Sequence, residues 1–139
     1  MTQSDTPAVR TEGVWKIFQQ EAEEVQAVRD VSLTVEAGEF TALAGPSGSG
    51  KTTLLNVIGG LTRPTRGRVW VAGQDVTDMS NQELAQLRLE QVGFIFQAYN
   101  LLPVLTAMEN AEFPMLLQGI AADERAARVG ELFARTSMA

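Results

Sequence analysis

Eight consecutive residues, Gly45-Pro46-Ser47-Gly48-Ser49-Gly50-Lys51-Thr52, match the spacing G-x-x-x-x-G-K-[ST], a pattern whose chemistry is the holding of phosphate groups. Gly48 and Gly50 permit backbone dihedrals that a Cβ would oppose, so successive N–H groups can turn inward around an anion. Lys51 brings a point charge to the outer phosphates. The Thr52 hydroxyl, with Thr53 beside it in the phosphate-binding set, can complete the ligands of a Mg²⁺ ion. A helix starting near Lys51 would aim its positive dipole end at the same anion. The competing explanation is a chance glycine-rich turn, which average residue frequencies would produce in fewer than about one in a hundred chains of this length.

The flanking elements agree with a phosphate site. Residues 1–7 read as a disordered polar tail, and Ala8 to Phe18 as a strand containing Gly13. Gln19 to Gln26 is polar and acidic, which predicts an exposed loop. Val25 to Val28 and Val31 to Val35 alternate as two half-buried strands. Phe40 to Ala44 is a short apolar run that predicts a buried strand entering the glycine-rich loop, and Lys51 to Ile58 is helical, ended by Gly59 and Gly60. Arg68 to Gly73 predicts a strand and turn, and Val92 to Phe96 a second buried strand. Ser80 with Glu83, and Thr106 with Glu109, are capping boxes that open helices. The first runs through about Arg88, and Pro114 should kink or interrupt the second. Ala122 to Arg135 reads as an amphipathic helix whose acidic residues, Asp123 to Glu131, form a solvated face. Early strands followed by alternating helix and strand point to α/β or α+β.

Composition narrows the chemistry. The chain has 139 residues, a formal charge of −6, no His and no Cys. An acidic surface opposes non-specific grip on nucleic acid. Without His and Cys there is no Ser-His-Asp or Cys-His mechanism, no disulfide and no ordinary zinc site. No apolar run reaches the roughly 18 residues of a membrane helix, and the first residues lack the pattern of a secretory signal. A cytosolic location is the expectation, with any membrane association made through a partner.

Several segments together resemble the ATP-binding subunit of ABC transporters. Val28 to Phe40 looks like that family's lead-in to the phosphate loop, Arg63 to Val69 like the segment after its helix, and Phe96-Gln97 like its Q-loop. The run Asn100 to Asn110 is most similar to the subgroup that serves lipoprotein-release and macrolide-export permeases. The resemblance implies an α/β fold of the P-loop NTPase, ABC type. It would have an N-terminal antiparallel β-subdomain, a partial RecA-like core and the start of a helical subdomain, spanning residues 8–139. It also implies ATP and Mg²⁺ as cofactors, Thr52 and Gln97 facing the ion, and Gln97 contacting both the attacking water and the transmembrane partner. Adenine would stack on Phe18, with Trp15 as the alternative. A core-filling Phe18 and an exposed strand-end Gln97 remain the simpler explanations for those residues taken singly. The implied partners are a permease subunit and a second copy of the ATP-binding subunit, at the inner face of the cell membrane, with no nucleic acid.

Departures from the family's pattern are as informative. After Gln97 the carboxylates are Glu109, Glu112, Asp123, Glu124 and Glu131, none of which follows an apolar strand as the family's Walker B Asp-Glu does. The Ser-Gly-Gly-Gln signature is absent, and the switch histidine has no candidate. Phosphoryl transfer needs these groups acting together, so hydrolysis by this chain alone is not expected. The pattern suggests an incomplete domain, C-terminally truncated, with unpaired sheet edges and exposed apolar surface. Two rivals remain: a non-catalytic nucleotide-binding or regulatory module, and another P-loop enzyme such as a kinase, for which no acceptor site is visible.

Overall fold

The computed structural model describes residues 6–20 and 23–136, so the first five residues of the expected tail lie outside it. The chain divides into two compact units between Arg88 and Leu89.

The first unit is built on an antiparallel sheet. Strands β1 (Val9–Gln20), β2 (Glu23–Val35), β3 (Arg66–Val71) and β4 (Gln74–Asp75) lie in the order β2-β1-β3-β4. The acidic stretch expected to be a loop is mostly strand: Gln19 pairs with Glu24 in the β1–β2 register, and the Gln19 amide donates to the Glu24 carboxylate at 2.7 Å. Polar side chains suit a hairpin end that stands in solvent, so composition there reported exposure and not loop. The two short strands expected over residues 25–35 are likewise one strand. An irregular register near its middle, with Asp30 at φ 48, absorbs the break in alternation. Buried Thr11 serves this irregular region, since its hydroxyl donates to the Val31 carbonyl at 3.2 Å and accepts from the Leu33 N–H at 3.1 Å.

Helix α1 (Lys51–Ile58) has the bounds its sequence predicts. It packs on β1, β2 and β3, burying Leu54 and Val57 with Val14, Val28, Val69 and Val71. Helix α2 (Asn81–Gln91) opens on the expected capping box: Ser80 N–H donates to Glu83 at 2.7 Å and Glu83 N–H to the Ser80 hydroxyl at 3.2 Å. Its Leu84 and Leu87 are buried.

Two buried strands expected from apolar runs are not formed. Residues 40–44 and 92–96 have no strand partner among the described residues, and Phe40 and Ile95 stand 96% and 104% exposed. Composition can supply a strand's side chains, but its N–H and C=O groups need a neighbour. The sheet formed among the described residues is the expected antiparallel one, of four strands. The exposed apolar surface anticipated from the sequence is present.

In the second unit, α3 (Ala107–Leu117) and α4 (Ala122–Arg135) form a helical hairpin. The Thr106–Glu109 capping box is complete, and α3 continues through Pro114 without interruption. The Asn110 side chain ties the preceding loop to α3, accepting from Leu102 N–H at 2.8 Å and donating to the Leu102, Leu105 and Thr106 carbonyls within 3.1 Å. The Arg125–Glu112 ion pair, 3.3 Å long and largely buried, joins the helices. Val129 is the only buried hydrophobic residue described in this unit, so its core is slight.

Candidate phosphate-binding site

The turn into α1 has the backbone that an anion requires. Gly50, the N-cap, adopts φ 85 and ψ 5, and Gly48 has φ 77; both lie in the left-handed region that glycine tolerates. The first N–H to return into the helix is that of Leu54, donating to the Gly50 carbonyl at 2.8 Å. The amides of Lys51, Thr52 and Thr53 precede it and have no intrahelical acceptor. No side chain caps them, and no acidic residue occupies the first turn. By contrast, α3 places Glu109 in its first turn and receives a complete side-chain cap.

Lys51 turns back over the loop. Its ammonium donates to the Gly45 carbonyl at 2.8 Å, the Pro46 carbonyl at 2.7 Å and the Ser49 hydroxyl at 3.3 Å. These are neutral acceptors, and a phosphate oxygen offers a stronger, charge-assisted one. A cavity of about 540 Å³ adjoins the loop, lined by Gly45, Pro46, Gly48, Ser49, Gly50 and Lys51 from the motif. Ala27, Arg29 and Leu43 also contribute to its walls. No spacing in the sequence marks Arg29; β2 brings this residue to the cavity wall.

The other expected residues are distributed differently. The Thr52 hydroxyl is exposed and has no protein partner among the described bonds. Among the described residues no cluster of three His, Cys, Asp or Glu could hold a metal. The Thr52 hydroxyl is a neutral oxygen donor, of the kind that suits a Mg²⁺ ion already charge-balanced by phosphates. Phe18 is 39% exposed on β1, with the Lys16 ammonium 5.0 Å from its ring centroid, and it does not line the cavity. Trp15 has the Arg29 guanidinium 6.0 Å from its ring. Gln97 belongs to the second unit, exposed after the unpaired segment in which Phe94 and Phe96 stack at 5.4 Å.

Glu39 steadies the approach to the loop. The Glu36 N–H, and secondarily the Thr41 hydroxyl, hold its carboxyl below the ordinary glutamate range.

A glycine-rich turn leading into a helix that packs on this sheet is the arrangement of a candidate phosphate loop, and comparison with known proteins supplies the family. The model of the ABC transporter family matches residues 28–139, and the chain belongs to that family. It is 50% identical to an uncharacterized ABC transporter ATP-binding protein of Thermotoga maritima, covering 86% of this chain and 51% of that protein. It is 47% identical to the ABC transporter ATP-binding protein YtrE of Bacillus subtilis, over 83% of this chain and 50% of YtrE. The macrolide export ATP-binding/permease protein MacB of Hyphomonas neptunium is 44% identical over 95% of this chain and 20% of its own length. The ATP-binding cassette MJ0796, solved as a post-hydrolysis dimer bound to ADP and Pi, superposes with a TM-score of 0.84 at 39% identity, over 88% of this chain and 54% of that one. The chain thus spans about half the length of the ATP-binding proteins it matches.

Proposed function

We propose that this chain is a nucleotide-binding portion of an ABC transporter's ATP-binding subunit. The observation that carries the reading is the start of α1: a left-handed Gly50 N-cap, three uncommitted amides and an ammonium parked on replaceable carbonyls. Residues Gly45 to Thr53 would surround the β- and γ-phosphates, with Lys51 exchanging the Gly45 and Pro46 carbonyls for phosphate oxygens. Thr52 and Gln97 would hold Mg²⁺, which when bound neutralises phosphate charge, and Phe18 would stack on adenine. MJ0796 binding ADP and Pi as a dimer supports nucleotide binding and pairing of two such chains. MacB, named as a macrolide export ATP-binding/permease protein, supports a permease partner, beside which the chain would sit at the cytoplasmic face of a membrane. Among the described residues no helix is long and apolar enough to cross a membrane.

The chain contains neither an apolar strand ending in Asp-Glu nor a His nor a signature sequence. The function proposed for the residues given is nucleotide binding. Titration with a fluorescent ATP analogue tests the reading: Lys51→Ala should abolish binding while the circular dichroism spectrum is unchanged. Equal affinity in the variant would overturn it.

A further inference from the structure

Beyond the carboxyl end of α1, a second cavity of about 530 Å³ is lined by Lys16, Arg63 and Arg88 together with Gly60, Thr62 and Asn81. Three cations face this one space, with no carboxylate on its lining, in a chain whose net charge is −6. We propose that this cavity is an anion site for a phosphate-bearing ligand, distinct from the phosphate loop at the opposite end of α1. Eight helical residues separate the two ends, a span of about 12 Å.

The donors are set for such a ligand. Arg63 uses Nη2 on the Met79 carbonyl and on Asn81 Oδ1, which fixes the guanidinium while its Nε and Nη1 have no acceptor among the described bonds. Arg88 is anchored by Nη1 on the Gly60 carbonyl at 2.6 Å. The Lys16 ammonium has only the face of Phe18 as a described partner, so its N–H donors are uncommitted. The planar arginine fork suits the oxygens of a phosphate group, and the lysine adds a point charge.

Two features oppose an anion here, and the three cations have to outweigh both. The carboxyl end of α1 carries negative partial charge, with three of its last carbonyls taken up by the turn that follows. Leu55 accepts from Gly59, Asn56 from Leu61 and Thr62, and Val57 from Gly60. The nearby Glu83 carboxylate is bound to Ser80 N–H and does not line the cavity. A purely structural role accounts for the bond of Arg88 to the Gly60 carbonyl and for those of Arg63 to Met79 and Asn81, but it leaves unexplained why Lys16, whose ammonium makes no described hydrogen bond, lines the same cavity.

The test uses the full chain carrying Lys51→Ala, which silences the phosphate loop, with inorganic pyrophosphate as the soluble probe. Vesicles of phosphatidylcholine with and without phosphatidic acid serve as the lipid probe. Calorimetry should show that Lys51→Ala still binds pyrophosphate, and that adding Lys16→Gln or Arg63→Gln weakens binding by about tenfold or more, the worth of one charge-assisted bond. Lys16→Gln removes no described hydrogen bond, so it guards against a variant that merely misfolds. Selective sedimentation with phosphatidic acid vesicles, lost in Lys16→Gln, would identify a lipid headgroup as the source; pyrophosphate binding alone would identify a free phosphate ligand. Absence of binding to both probes in Lys51→Ala, or affinity indifferent to Lys16→Gln and Arg63→Gln, would overturn the site. Loss of ATP analogue binding in Lys51→Ala is read separately, so this proposal and the nucleotide assignment fail independently.

Discussion

The backbone of Gly50 lies directly against the carbonyl oxygen of Ala27, so close that a methyl group on Gly50 would overlap it. This contact fastens the phosphate loop to β2 and places the Ala27–Arg29 segment on the wall of the cavity. Gly50→Ala should therefore lose stability twice, through left-handed backbone strain of about 1–2 kcal/mol and through displacement of β2. Gly48 has the same backbone sign but nothing within 4 Å of an added Cβ. Urea denaturation should show Gly50→Ala clearly less stable than Gly48→Ala; equal midpoints would contradict the close approach.

Phe18 separates base recognition from phosphate recognition. If adenine stacks on its exposed ring, Phe18→Ala should weaken ATP by about 1–3 kcal/mol and leave the affinity of inorganic triphosphate at the loop unchanged. Competition titrations with the two ligands would reveal this difference. Equal loss for both would assign Phe18 a packing role instead.

The cap of α3 should titrate. The Thr106 N–H, then the Thr106 hydroxyl, hold the Glu109 carboxyl below its ordinary value. A depressed folded-state pKa gives stability that is fully present above the unfolded glutamate value and lost as pH falls through the lower, folded one. Amide exchange in the first turn of α3 should accelerate as acid crosses that window. Glu109→Gln keeps a capping side chain but removes the titration, so its exchange should be flat over the same range.

Apolar residues divide sharply by position. Leu54, 7% exposed beneath α1, should cost about 2–5 kcal/mol when cut to Ala. Phe40 and Ile95, 96% and 104% exposed, should cost little when changed to Ser. The double variant Phe40→Ser, Ile95→Ser should instead reduce binding of a hydrophobic dye and slow aggregation. An unchanged dye signal would mean that these side chains are covered in solution.

The phosphate loop and the helix after it, residues 45–58, could be read directly, because a turn and helix start depend on neighbours in sequence. The same holds for the capping boxes at Ser80–Glu83 and Thr106–Glu109, where bonds span three residues. The acidic stretch over Glu23 and Glu24 reads as a loop in the sequence because such residues signal solvent, and both loops and strand ends meet solvent.

Local chemistry in the sequence determined which residues could cradle an anion and where helices begin, since those interactions close within one turn of chain. Only the tertiary structure decided that Arg29 lines the cavity beside the glycine-rich loop and that Lys16, Arg63 and Arg88 share another. It also decided that the apolar runs 40–44 and 92–96 remain unpaired. Each of these depends on which distant segment lies alongside, and a strand or a charge cluster is a relation between segments that no single segment contains.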